Sequence, residues 1–220
     1  MRGEVYYKLV DIRNRYGEQV LGQICQDLLA MSFVEIGCRP EGISVYNIEG
    51  VDIIIDDENF GRYAVEVKTT SGTKVTLGEK DHDGLKKYSN NNYRPLLAIL
   101  KIELLRDWIF VDGNRLNGSG ILYVDRIYTD ARYKGIAEKI NRAFENLLIR
   151  QYHEILNRGQ SYLKENLRDE GIRYSVDKGK RSISVRRHKG KKDIIIEDNC
   201  VRAYFKGEIS PYVLMMEEVL

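Results

Sequence analysis

Hydrophobic positions along this chain follow two periods, and each switch between them marks a new element. Residues 2–31 have helical spacing. Val5, Leu9 and Ile12 form one stripe, and Tyr16, Val20, Ile24, Leu28 and Met31 continue it beyond Gly17, which is expected to break or bend the helix. Residues 32–36 read as a turn into a short strand, and 43–48 as another strand after a Gly/Pro loop. The stretches 51–56 and 62–68 are β-branched and aromatic runs, joined by the turn residues Asp57-Glu58-Asn59-Phe60-Gly61. A strand at 75–77, a helix at 78–89 and a continuous apolar run at 95–102 follow. That run has the composition of a strand covered on both faces. Strands are expected at 107–112 and 120–127, and helices at 130–157 and 160–168. From Gly171 the spacing shortens to alternating strands at 172–176, 181–187, 193–197 and 201–206, closed by a helix at 211–220 with Ser210 as its N-cap.

This order implies an α/β fold with a mixed central β-sheet flanked by helices. The expected division is a core at 1–128, a helical connector at 129–170 and a small β-rich carboxy-terminal subdomain at 171–220.

The hairpin 51–68 carries the chemistry. If its strands pair antiparallel so that Asp56 faces Arg62, then Asp52 stands opposite Glu66, with Lys68 two residues further along the same face. Val51, Ile53, Ile55, Tyr63, Val65 and Val67 fill the other face without a polar interruption. Like charges placed directly opposite cost a few tenths to ~1 kcal/mol, so the pair calls for something between them. A divalent cation suits it: Mg²⁺ prefers oxygen ligands and uses one or two carboxylates, with water and substrate phosphate in its other positions. A surface hairpin with ordinary solvated charges has the same spacing.

Composition narrows the classes. With 220 residues and 43% hydrophobic content, the chain can bury a sizeable core, and its net charge of +2 carries no global signal. Cys25, Cys38 and Cys200 are odd in number and lack metal-ligand spacing, as expected of reduced thiols. The amino terminus has no leader-like apolar segment, and no run reaches the ~20 apolar residues of a membrane span. The expected location is cytoplasmic and nucleoid-associated, without membrane or small-molecule cofactor partners. Zinc spacing, dinucleotide and phosphate-loop glycine patterns and a serine-hydrolase elbow are all absent from the sequence. Charge is concentrated in KGKRSISVRRHKGKK, where Lys178, Lys180, Arg181, Arg186, Arg187, Lys189, Lys191 and Lys192 occur without an acid. Such a stretch gives salt-dependent, largely sequence-independent affinity for nucleic-acid phosphates. Read alone, it is also a solvated hairpin whose charge keeps its strands from associating. It is expected to pair residues 183–185 with 194–196 around a charged tip.

Glu18 on an opening helix, Gly50-Val51-Asp52 on one strand, and Glu66-Val67-Lys68 on the next, followed by a polar loop, a helix and a buried strand, resemble the PD-(D/E)XK nuclease superfamily. The likeness is to its archaeal Holliday junction resolvase and Mrr-type restriction branches, and it covers residues 4–102. Val51 stands where the family often has proline. The glutamine that several branches carry on the following helix is absent, with His82, Asp83 or Lys86 in that region, and Ser44 is a loose match to the resolvase serine. The resemblance implies a restriction-endonuclease-like core and a metal-dependent DNA endonuclease, acting on branched DNA or duplex sites and expected to be a homodimer. Asp52, Glu66 and the Val67 carbonyl would hold Mg²⁺, with Mn²⁺ as a substitute. Glu18 would complete the site directly, through water or at a second metal, and Lys68 would act on the attacking water and the phosphorane charge. Lys86 joins the basic stretch as a DNA contact. A nuclease fold that binds nucleic acid without cutting it, and an RNA-processing nuclease, fit the same residues.

Overall fold

Helix α1 (Arg2–Glu35) follows the predicted stripe and breaks at Gly17, whose φ of 83° and ψ of 169° are open to glycine and strained for other residues. Ile12, Leu21, Ile24 and Leu28 are wholly buried. Each such side chain contributes roughly 1.5–3 kcal/mol, so the packed face, more than helix propensity, holds the element. The helix runs through 32–35, where a turn and strand were expected. Phe33 extends the buried stripe there, and Ser32 Oγ donates to the Leu28 carbonyl (2.6 Å). It stops at Gly37, with φ 107°. There the Cys38 N–H donates to the Phe33 carbonyl (2.9 Å) and the Gly37 N–H to the Val34 carbonyl (2.8 Å), a Schellman close.

The computed structural model describes residues 2–46, 51–103, 107–175, 183–187, 190–197, 200–205 and 208–215, those beyond 175 as strand backbone. After α1 come β1 (Ile43–Tyr46), β2 (Ile53–Asp57), β3 (Gly61–Thr70), β4 (Lys74–Leu77), α2 (Glu79–Ser89), β5 (Arg94–Lys101), β6 (Trp108–Asp112) and β7 (Gly120–Tyr123). Helices α3 (Lys134–Arg158) and α4 (Gln160–Asp169) then lead to β8 (Arg173–Ser175). Six strands form one sheet in the order β6-β5-β3-β2-β1-β8. The β3–β5 and β1–β8 pairs are parallel and the others antiparallel. This is the mixed, helix-flanked α/β sheet expected, and its order, α1, then three strands of this sheet and β4 outside it, then α2 and β5, agrees with a restriction-endonuclease-like core.

The sheet separates two environments. On one face α1, α3 and α4 bury Ile53, Ile55, Val65 and Val67 with the α1 stripe. On the other face, Leu85 of α2 covers Val51, Ile54 and Ala64, while Val75 and Leu77 of β4 pack with Leu97, Ile99 and Ile109. Val51 therefore lies on the opposite face from the one expected. The β2–β3 ladder ends at Ile53 opposite Val65, and the next residue, Asp52, bonds through its N–H to that same Val65 carbonyl (2.9 Å). A one-residue slip moves the preceding side chain to the other face.

Residues 1–175 form one compact unit and 176–220 another. The second contains β9 (Ile183–Arg187), β10 (Gly190–Glu197), β11 (Cys200–Phe205) and β12 (Glu208–Met215), ordered β12-β11-β10-β9. Two expectations change here. Residues 211–215 belong to β12 and not to a helix, while 216–220 lie outside the described residues. Pro211 falls where the ladder is irregular: Arg202 opposes Val213 and Tyr204 opposes Ile209, which leaves 210–212 facing Ala203 alone. An outermost strand with such an irregularity tolerates a residue lacking an N–H. In the basic hairpin, Ile183 does oppose Ile194, but Val185 opposes Lys192 because pairing continues to Arg187 and Gly190. Ile195 and Ile196 oppose Arg202 and Val201 on the other neighbour.

Candidate active site

The open end of the β2–β3 hairpin gathers Asp52, Glu66 and Lys68. The chain bends at Asp52, whose backbone is tied on both sides: its N–H goes to Val65, and its carbonyl accepts the Tyr46 N–H (2.8 Å). Gln26 of α1 donates Nε2 to the Tyr46 carbonyl (2.9 Å) and the Asp52 carbonyl (3.3 Å). With the backbone so fixed, the Asp52 side chain reaches back along β3, and Oδ2 accepts the Val67 N–H (2.7 Å). Asp52 thus brackets Glu66, bonding to the residues on either side of it. A strand residue directs its N–H and C=O toward the same neighbouring strand, so the Val67 carbonyl leaves β3 on the side of Asp52.

Glu66 is 4% exposed. Lys68 Nζ donates to Glu66 Oε1 (2.6 Å) and to Asp81 Oδ2 (2.7 Å). Asp81 stands in the first turn of α2, and the same Oδ2 accepts the Gly78 N–H (3.0 Å) at the helix start. One carboxylate therefore caps α2 and fixes the lysine. Asp81 was not singled out from the sequence, where attention fell on His82, Asp83 and Lys86. Its signal was the Gly78-Glu79-Lys80-Asp81 spacing, which sets an acid three residues past a helix cap.

Electrostatics mark this cluster as short of positive charge. Burial, opposed in part by the Val67 bond and the Lys68 charge, pushes Asp52 up to about 6. Burial and the neighbouring Asp52 charge push Glu66 up to about 8. Burial would lower Lys68, but Glu66 and Asp81 outweigh it and hold the ammonium protonated, above its ordinary range. Fully ionised, three carboxylates around one ammonium carry a net charge of minus two, the deficit a divalent cation neutralises. Asp52, Glu66 and the Val67 carbonyl suit Mg²⁺ as an all-oxygen set with two acids. Among the described residues no group of three or more His, Cys, Asp or Glu forms a metal cage on its own, so water and substrate would complete the coordination.

Glu18 is not drawn into the cluster. It opens the second half of α1, where Ser71 Oγ donates to its Oε1 (3.0 Å) and Arg13 lies at 3.9 Å. Lys86 is exposed in the last turn of α2. Of the basic stretch, Arg186 and Arg187 lie on β9 and Lys191 and Lys192 on β10, with Arg186 opposite Lys191. Lys178, Lys180, Arg181 and Lys189 lie outside the described residues. Ser44 is buried in β1, between Ile54 and Arg173. Cys25 and Cys38 are free and buried, and burial raises both thiols, Cys38 to about 12, which excludes them as nucleophiles at neutral pH.

The fold and site together define a mixed α/β domain with two carboxylates and a lysine at the end of a central hairpin. No protein-family model matches the sequence. No curated protein matches it either. Among solved structures, the chain is similar to Hjc, a Holliday junction resolvase from the archaeal hyperthermophile Archaeoglobus fulgidus. The identity is 14%, the match covers 42% of this chain and 80% of that one, and the TM-score is 0.33. No helix among the described residues is long and apolar enough to cross a membrane.

Proposed function

We propose that this chain is a metal-dependent endonuclease that hydrolyses DNA phosphodiester bonds. The observation that carries the reading is the buried Glu66 beside Asp52, with their shared charge deficit, on the face where Lys68 is held protonated. A buried acid beside a half-buried one, both with raised pKa values, and a fixed ammonium are costly as a structural device and suited to a phosphate centre. Asp52, Glu66 and the Val67 carbonyl would hold Mg²⁺, or Mn²⁺ in its place. When bound, the ion would neutralise the scissile phosphate and lower the pKa of a bound water.

The protein's own groups do the rest. Lys68 is a hydrogen-bond donor in this arrangement, placed to orient the attacking water and to stabilise charge on the phosphorane oxygens. Asp81 and Glu66 fix the ammonium position, and Gln26 fixes the backbone from which Asp52 projects. Glu18 acts from the periphery, through water or at a second ion. Lys86 and the basic β9–β10 hairpin supply phosphate affinity without touching the reacting atoms. Cutting both strands needs two such sites, which a homodimer supplies.

The test is cleavage of a four-way junction, a flap, a plain duplex and single strands, in DNA and RNA, with Mg²⁺ or Mn²⁺. Asp52→Ala and Lys68→Ala are expected to lose roughly 10²–10³-fold in rate, the scale of a lost electrostatic stabiliser, while still binding substrate. Undiminished cleavage by Asp52→Ala overturns the assignment.

A further inference from the structure

Strand β4 joins the two elements of the site. It begins after the β3 segment that carries Lys68 and ends at Leu77, next to Gly78, whose N–H is bonded to Asp81. Its partner β7 sets Lys74 opposite Tyr123, Val75 opposite Leu122 and Thr76 opposite Ile121. Alternation sends Val75 and Leu77 into the cluster beneath the ribbon and leaves Lys74, Thr76, Ile121 and Tyr123 on its outer face.

That face has an unusual composition. Ile121 is 58% exposed, Tyr123 47%, and Tyr128, just beyond, 76%. A single exposed apolar residue means little, but these three of the four exposed large hydrophobics among the described residues fall within eight positions. Lys74 Nζ lies 5.1 Å from the centre of the Tyr123 ring and Arg126 Cζ 5.4 Å from it. Both cations are exposed. An apolar protein partner would have to desolvate them. A nucleic-acid strand uses both features, since its bases stack on aromatic rings and its phosphates attract cations.

The ribbon is also close to the site. Thr76 is two residues from Gly78, about 7 Å of strand. Gly78 N–H, Asp81 Oδ2 and Lys68 Nζ then follow in contacts of 3.0 and 2.7 Å. At the other end of β4, Thr70, two residues past Lys68, donates Oγ1 to the Lys74 carbonyl (3.1 Å), so the Lys74–Tyr123 pair lies about 10 Å of backbone from Lys68, roughly three stacked nucleotides at ~3.4 Å each.

We infer that the outer face of the β4–β7 ribbon, with Tyr123 as stacking platform and Lys74 and Arg126 as phosphate contacts, binds unpaired bases next to the scissile phosphate. The inference rests on the nuclease reading and narrows its substrate class: bases paired in a duplex or a fully paired junction present no free face, whereas flaps and single strands do.

Anisotropy with labelled DNA in EDTA reads binding without cleavage. Tyr123→Ala is expected to weaken binding to a single strand by about 5- to 150-fold, the range for one lost base–aromatic stack. Duplex affinity should change less than about twofold, and Tyr123→Phe should restore single-strand binding. Lys74→Gln should lower the slope of log affinity against log salt by about one. Because Tyr123 is exposed, an unchanged Tm shows that each variant is folded. Unchanged single-strand affinity, or equal loss on duplex and single strand, overturns the proposal. So does a fall in oligomeric mass without loss of binding, which would make this face an interface between two copies. A Tyr123-dependent binder that no metal activates sinks the nuclease reading alone, and a nuclease indifferent to Tyr123 sinks this one alone.

Discussion

The two ends of the β2–β3 hairpin bury acids in opposite ways. At the turn, Asp57 is 2% exposed. It accepts N–H bonds from Arg39 (2.9 Å), Asn59 (2.8 Å) and Phe60 (3.0 Å), with the Arg39 guanidinium 3.4 Å away. The Arg39 backbone bond, with the others, pulls its pKa down to about 2 against the cost of burial. At the open end, Glu66 is 4% exposed and has Lys68 as its partner, and it is pushed up to about 8. Both side chains are shielded from solvent, but desolvation dominates at Glu66 and hydrogen-bond donors dominate at Asp57. Asp57 is satisfied and structural. Glu66 sits among charges whose balance a further cation would complete.

Three experiments press on that contrast. The largest effect is expected from Glu66→Gln, which should lower metal-dependent cleavage by roughly 10²–10³-fold without lowering the metal-free Tm. A variant that unfolds in EDTA would place Glu66 with Asp57 as a structural acid. Next, Asp57→Ala should cost about 1.5–3 kcal/mol in denaturant unfolding, since it removes the charged acceptor of three backbone N–H bonds. Its folded fraction should still cleave. A loss below ~0.5 kcal/mol, the range of neutral surface changes, would remove the contrast from that side.

The smallest effect is in pH dependence. The folded pKa of Glu66 lies above its ordinary 4.5, so the folded state holds a proton that the unfolded chain releases. Its contribution to metal-free stability is present at low pH and is lost as pH rises through about 8. Asp57 has the opposite sign: its contribution is present above its ordinary 3.8 and is lost as pH falls through about 2. In EDTA, the wild-type Tm relative to Glu66→Gln should therefore fall as pH rises from 4.5 to about 8, and added Mg²⁺ should remove the fall. A flat difference would show that Glu66 titrates normally.

The hairpin was legible in the sequence because its signals are local. The turn residues and a period of two set Asp56 opposite Arg62, as observed. Gly17 announced the break in α1 through its lack of a side chain. What stayed hidden depended on contacts remote in sequence. Continuation of α1 through Glu35 is decided by burial of Phe33, and the displacement of Val51 by the slip at Asp52. Asp81 was overlooked because its role requires α2 to be folded against Lys68. In 211–215, the Ser-Pro pair reads locally as a helix start, and pairing with β11 overrides it.

Strand β8 lies far along the chain from the sheet it joins, and three residues, Arg173–Ser175, complete its pairing with β1. A shorter fragment ending before β8 would leave β1 as an open border with its peptide groups unpaired. A fragment ending before α3 would also strip α3 and α4 from the face that buries Ile53 and Val65. Such a border recruits strands from other molecules. The smallest piece of this chain that can be handled as a well-behaved folded unit therefore extends through Ser175.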